Sequence, residues 1–445
     1  MAKRTFQDKI NFFLGSLSLF LVSVILKLNL IVPFFLMSIY VYLTYRKPHL
    51  KNYSILNLCF LLVIIVVLSY FIIDLGLSRT YIPFSIIPML TTILFGQIEL
   101  SLLMTLAASL TIASIAGNNL HLGILYFTSG IFSSILVLHS RRRITIIRAG
   151  FIVGVAQALF LFFIDRFWVW PPRSYSINYL IILINGIVSS IVVLGILPLF
   201  ESLFRTVTNI SLLELADFDH PLLQRLVIEA PGTYHHSLVV GNMSEAACQA
   251  IGANALLARI GSYYHDIGKL NKPGYFSENQ NLKDSKHDTL SPTMSKLLVI
   301  NHVKEGVELA KKYRLNPQII DFIQYHHGTG LVYYFYRRAL ENLEEDHKIQ
   351  EEGFRYPGPK PNNKETAIVL LADSAEAATR AIKEPDSRKI EEVVHKIINN
   401  KFIDGQLDEC DLTLKDLEKI SEVFVRILTG IFHSRTNYPE EPRPS

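Results

Sequence analysis

Between Tyr53 and Ser140 the chain carries only three acidic or basic side chains, Asp74, Arg79 and Glu99. So long and apolar a run has few folded solutions. A helix on the surface of a water-soluble domain keeps one polar face, and this run is too apolar to supply such faces. Membrane-spanning helices fit it, because each satisfies its own backbone hydrogen bonds without water. The rest of the chain sharpens the contrast. Half of the 445 residues are hydrophobic and 18% are charged, a low charge content for a soluble protein. From Glu201 onward charges become frequent. We therefore expect an apolar part of about 200 residues and a polar part of about 240, each long enough for a domain.

A helix needs about 20 apolar residues to cross a bilayer, and at the least ~17. Eight stretches qualify: 10–26, 29–45, 54–75, 80–97, 99–117, 121–139, 145–164 and 177–199. Basic residues cluster before the first (Lys3, Arg4, Lys9), between the second and third (Arg46, Lys47, Lys51) and between the sixth and seventh (Arg141, Arg142, Arg143). With eight crossings these clusters share one side, which the excess of Lys and Arg marks as cytoplasmic. The expectation is a multi-pass cell-membrane protein, partnered by the lipid bilayer, with its polar part in the cytoplasm. No A-x-A-like cleavage site follows the basic N-terminus, so the first span is read as uncleaved. No span carries a pair of ionisable groups placed as in an ion pathway, and an anchoring role is favoured over transport. A net charge of +4 does not suggest a nucleic-acid polymer as partner. Cys59, Cys248 and Cys410 form no CxxC pair, which argues against a zinc ribbon or a disulfide framework.

The polar part reads as all-α. Linker helices are expected over 201–230, then helices near 233–251, 253–267, 292–313, 316–327, 364–382, 387–400 and 414–433. Pro231-Gly232 breaks the chain, and Thr233 is expected to cap the helix that follows. The domain itself is expected over 231–440 and the membrane part over 1–200.

Metal-ligand residue types recur along these helices: His236, His265-Asp266, His302, His326-His327 and Asp373. Imidazole with carboxylate suits Fe, Mn, Zn or Ni rather than calcium. A lone helical histidine is more often a core or surface residue. Adjacent residues within a helix point about 100° apart, but at a helix end both can converge on one centre.

Several stretches carry a resemblance: Ala230-Pro231-Gly232-Thr233-Tyr234-His235-His236-Ser237, the run His265 to Asn279 (HDIGKLNKPGYFSEN), and His326-His327-Gly328-Thr329. It continues through Phe354 to Pro361 (FRYPGPKP), Ala372-Asp373-Ser374, Gly405-Gln406-Leu407 and Leu412 to Leu417 (LTLKDL). Together they resemble the seven-transmembrane HD-domain phosphodiesterases of PgpH type. That family usually carries a large extracytoplasmic domain between its first span and the rest. Here only a few residues around Leu28 separate the first two spans.

The resemblance implies a metal-dependent hydrolase that opens cyclic di-AMP to 5′-pApA. It implies two divalent transition-metal ions, Fe or Mn, and a metal-activated hydroxide as nucleophile. Asp266 would bridge the ions. His236, His265 and Asp373 would complete one shell, and His302, His326 and His327 the other. Of the adjacent pair His235-His236, the residue preceding Ser237 matches the family's ligand. Lys269 has three readings: a phosphate contact, a partner of Asp266, or a cation ending a helix. Cyclic di-GMP enzymes of the superfamily carry Gly-Tyr-Pro after the histidine pair, whereas Gly328-Thr329-Gly330 stands here. Two other readings stay open: action on another nucleotide such as cyclic di-GMP, and a nucleotide-binding receptor without turnover. Homodimerisation also stays open.

Overall fold

The computed structural model describes residues 13–21, 24, 55–167, 176–280, 286–341 and 349–432. The chain divides into two compact units, Met1–Ser211 and Leu212–Ser445. Among the described residues there is no strand, and one isolated bridge pairs Leu331 with Arg355.

The first unit contains α1 (Ile55–Asp74), α2 (Ile86–Phe95), α3 (Ile98–Ile115), α4 (Leu120–Val137), α5 (Arg143–Phe167) and α6 (Ser176–Phe204). All but α2 are long and apolar enough to cross a membrane. Residues 13–21 are helical. The expected span 29–45 and the basic clusters Lys3 to Lys9 and Arg46 to Lys51 lie outside the described residues. Large apolar side chains such as Phe151, Phe163 and Ile191 are exposed, as suits lipid. Small and hydroxylic residues face inward. Gly150, Gly154 and Gly186 bring α5 and α6 so close that a Cβ on Gly186 would overlap the Gly150 carbonyl. Thr92 Oγ1 donates to Ser101 Oγ at 2.8 Å, and Ser101 Oγ lies 2.7 Å from Ser134 Oγ.

The expected span 80–97 is not one helix. A 3₁₀ turn over Arg79–Tyr81 is separated from α2 by extended chain. Pro83 is the cause, since proline disfavours a helical conformation in the residue before it, and Ile82 sits at φ −64°, ψ 117°. The ten residues of α2 rise only about 15 Å. The carbonyls released at the break find side-chain donors. Tyr126 Oη donates to Arg79 O at 2.6 Å, and Asn185 Nδ2 donates to Thr80 O at 2.8 Å and Ile82 O at 3.1 Å. Ile82 and Phe84 are buried, so the irregular backbone is enclosed by protein, as membrane depth requires.

The chain passes through α7 (Asn209–Leu215) and α8 (Pro221–Glu229) into α9 (Pro231–Ile251), α10 (Ala255–Tyr264), α11 (Pro292–Lys312) and α12 (Pro317–Tyr325). Next come α13 (Tyr333–Glu341), α14 (Lys364–Arg380), α15 (Ser387–Ile403) and α16 (Leu414–Phe432). Their starts are written locally. Ser291, Asn316 and Asn363 accept backbone N–H groups of the first turns of α11, α12 and α14. Pro231, Pro292 and Pro317 occupy first-turn positions where no N–H is needed. Gly252 ends α9 at φ 71°. Thr233 is not the cap of α9. The helix begins at Pro231, and the orphan N–H of Thr233 goes instead to Asn279 Oδ1 at 3.1 Å. The core is α14, whose run Ala367 to Ala372 is wholly buried and is wrapped by α9, α15 and α16. Each fully buried Leu or Val there contributes roughly 1.5–3 kcal/mol.

Candidate metal centre

Two helix ends make the centre. His265 closes α10 with helical angles, and Asp266 then leaves the helix at φ −110°, ψ 16° before a 3₁₀ turn over Ile267–Asn271. His326 likewise closes α12, and Gly328 turns the chain away at φ 54°. In both pairs the helix stops at the point where neighbouring side chains can share one centre. Gly268 then matters sterically. A Cβ there would overlap the carbonyl of His302, so glycine lets the 3₁₀ turn lie against α11 and brings His302 beside Asp266.

The structure gathers the seven candidate ligands into two groups. His236, His265, Asp266 and Asp373 form one, and His302, His326 and His327 the other, with the ligand atoms of each group within 4.8 Å of one another. Asp266 stands between them. Its Oδ2 lies 3.2 Å from His265 Nε2 and 3.7 Å from His236 Nε2, while its Oδ1 lies 3.4 Å from His302 Nε2 and 3.6 Å from His326 Nε2. Asp373 Oδ1 lies 3.0 Å from His236 Nε2, and its Oδ2 lies 3.5 Å from His327 Nδ1. Six of the seven are at most 7% exposed, and His327 is partly open to the cleft.

Nearly every outer ring nitrogen is tied down. His265 Nδ1 donates to Ser262 O at 2.6 Å, His302 Nδ1 to Val299 O, and His326 Nδ1 to Ile323 O at 2.9 Å. His236 Nδ1 meets Glu376 Oε2 at 2.6 Å. Such bonds fix the tautomer and leave Nε2 as the ligand atom.

Electrostatics divides the two groups. Burial disfavours charge on His265, but Asp266 beside it prevails and raises its pKa to about 10. Burial opposes charge on His236 too, and Asp373 with Glu376 outweighs it. Where histidine faces histidine, burial prevails: His302 is pushed down to about 4 and His327 well below its usual range. Asp266 and Asp373 stay far below the carboxylate range despite burial, held there by the surrounding imidazoles and, at Asp266, by Lys269 as well.

These residues fit divalent transition metals. His265 Nε2 and Asp266 Oδ1 are buried without a hydrogen-bond partner, and buried polar atoms are seldom left so. Imidazole nitrogens mixed with carboxylate oxygens are the donor set that Fe, Mn or Zn takes.

Lys269 Nζ lies 2.8 Å from Asp266 Oδ2 and 2.7 Å from Glu278 Oε1. The structure therefore places it as a partner of Asp266. Three neighbours were not among the sequence's candidate site residues, although Glu278 and Tyr356 lie within the resembling stretches. Glu278 holds Lys269 and accepts from Thr233 Oγ1 at 3.0 Å. Glu376 sits one helical turn after Asp373. Tyr356 packs its ring 4.2 Å from that of His327. His235 is exposed, whereas His236 is buried in the cluster. A cleft of about 630 Å³ opens onto the centre, with Tyr275, Phe276, Tyr334 and Arg380 among its walls.

Comparison with known proteins agrees with this architecture. Residues 20–208 match the family described as 7TM receptor with intracellular HD hydrolase, and residues 233–378 match the HD domain. The chain is 42% identical over 324 residues to the cyclic-di-AMP phosphodiesterase PgpH of Bacillus subtilis (strain 168), covering 72% of this chain and 45% of that one. It is 37% identical over 365 residues to PgpH of Listeria monocytogenes serotype 1/2a (strain 10403S), covering 81% of this chain and 50% of that one. The chain thus spans about half the length of these curated relatives. The crystal structure of the L. monocytogenes PgpH HD domain in complex with cyclic-di-AMP is 45% identical, with a TM-score of 0.46, and covers 49% of this chain and all of that one. With a membrane part and an HD part both matched in chain order, this integral membrane protein belongs to the family of 7TM receptors with an intracellular HD hydrolase, of PgpH type.

Proposed function

We propose that the second unit is a metal-dependent phosphodiesterase that hydrolyses cyclic di-AMP to 5′-pApA from the cytoplasmic face of the cell membrane. The observation that carries this reading is the pair of ligand groups meeting at the two oxygens of Asp266. His236, His265, Asp266 and Asp373 would hold one divalent ion, Fe or Mn, and Asp266, His302, His326 and His327 would hold the other. When bound, the two ions would supply an activated water and neutralise charge developing on the phosphoryl oxygens. The protein's own part is to prepare the ground. Lys269 balances Asp266, which keeps the bridging carboxylate ionised. Carbonyls and Glu376 turn the rings so that Nε2 faces inward. Tyr356 packs against the ring of His327.

Cyclic di-AMP is favoured over cyclic di-GMP for two reasons: the curated relatives are named for that substrate, and Gly328-Thr329 stands where Gly-Tyr-Pro would follow the histidine pair. The test is anaerobic purification of the full chain, metal analysis, and product chromatography with both dinucleotides. The expected result is metal-dependent 5′-pApA and much slower turnover of cyclic di-GMP. Comparable kcat/KM values overturn the substrate assignment, and an inert, metal-loaded protein overturns the enzymatic one.

A further inference from the structure

One histidine of the cluster differs from its neighbours in what holds it from behind. His265, His302 and His326 each place Nδ1 on a backbone carbonyl three residues earlier. These acceptors are neutral and built into the helix. His236 uses Glu376 Oε2 at 2.6 Å instead. Glu376 is 4% exposed, and burying a carboxylate is costly unless it is paired. Its second oxygen pairs with Arg380 one turn further along α14. Asp373, Glu376 and Arg380 thus follow one face of α14 at spacings of three and four residues. Asp373 and Glu376 clasp the same ring, one at Nε2 and one at Nδ1. An imidazole between two carboxylates can present either nitrogen. The group that takes the Nδ1 proton decides that Nε2 carries the lone pair.

We propose that Glu376 is the positioning residue for His236, fixing its tautomer and raising its basicity so that one of the two metal positions is held more tightly than a carbonyl-supported set would allow. This rests on the metal reading above. Outer partners of this kind typically change metal affinity 10–100-fold when removed. The effect is confined to the position built from His236, His265, Asp266 and Asp373. The position built on His302, His326 and His327 does not touch Glu376.

The experiment is cobalt(II) titration of the metal-free full chain in detergent, read by visible absorption and by competition with a chelator. Wild type is expected to bind two ions per chain. Glu376→Ala is expected to weaken one of them 10–100-fold and leave the other unchanged. Glu376→Gln keeps an acceptor oxygen without the charge and should lose only several-fold, again at one position. Arg380→Ala leaves the His236 bond in place and should move cobalt affinity least. If Glu376→Ala does not fold, Glu376→Gln carries the same contrast. A variant that binds both ions as wild type does, or weakens both equally, overturns the proposal while the metal reading stands. A wild-type chain that takes up no cobalt overturns both.

Discussion

His302 and His326 face each other through Nε2 atoms 3.2 Å apart, and each has already committed its Nδ1 to a carbonyl three residues earlier. Both inner nitrogens therefore turn into one buried space, where a cation could take a lone pair from each ring in its neutral form.

Metal removal should therefore cost stability as well as activity. A ligand present at 100 times its Kd stabilises the folded state by about 2.7 kcal/mol. Thermal melts of the full chain with EDTA, and again after Mn²⁺ is restored, should show a lower Tm for the stripped protein and recovery on reloading. Identical melts would mean that the histidine cluster holds nothing that matters to folding.

Within the ligand set the losses should be unequal. Asp266 reaches both groups, whereas His302 belongs to one. Asp266→Ala leaves two cations without their shared anion. At ~4 Å and an effective dielectric of 20, even unit charges repel by about 4 kcal/mol. We expect double occupancy to fail in Asp266→Ala. His302→Ala should weaken one ion and keep the other, with turnover falling steeply in both variants. Metal content per chain, measured beside turnover, separates these outcomes. Two tightly held ions in Asp266→Ala would contradict a bridging role.

Tyr356 packs against a candidate ligand and is not itself one, so its loss should be milder. Tyr356→Ala is expected to keep the metal content and raise KM roughly 3–10-fold, the equivalent of about 1 kcal/mol. Tyr356→Phe keeps the ring and should stay near wild type. Steady-state kinetics with parallel metal analysis reads both.

Away from the centre, burial on α12 raises the pKa of Asp321 from 3.8 to about 6. The folded chain thus binds this proton more tightly than the unfolded chain does. Asp321 therefore favours folding below its ordinary pKa, and that contribution is lost as pH rises through about 6. Asp321→Asn should stabilise the protein at neutral pH, by about 1 kcal/mol once solvent screening of a half-buried group is allowed for. The gain should vanish below 3.8, where the native side chain is neutral in both states. Melting curves of both proteins across pH 3–8 would show it, and a gain independent of pH would point to another cause.

Much of this could be read beforehand because it is local. Pro292 after Ser291 and Pro317 after Asn316 announce helix starts. The His-Asp and His-His pairs lie at helix ends, where convergence is geometrically open. What escaped is non-local or set by a single backbone restraint. Glu376 and Glu278 are ordinary acidic residues until folding brings α9 against α14 and against the 3₁₀ turns. Thr233 has the composition of a cap, yet Asn279, 46 residues away, takes its N–H. The Tyr333–Glu341 helix was missed because its aromatic start resembles loop or strand as much as helix. Pro83 divides a stretch that hydropathy alone presents as continuous.

That break has a mechanical meaning. Thr80 O and Ile82 O hang from one amide, Asn185, on α6, and Arg79 O hangs from Tyr126 on α4. In a medium without water, a carbonyl that lets go of its donor has nothing to exchange it for. The interruption is therefore tied to α4 and α6 by these side chains, beside the local N–H groups of Ile82 and Phe84 that Arg79 O and Ile82 O also accept.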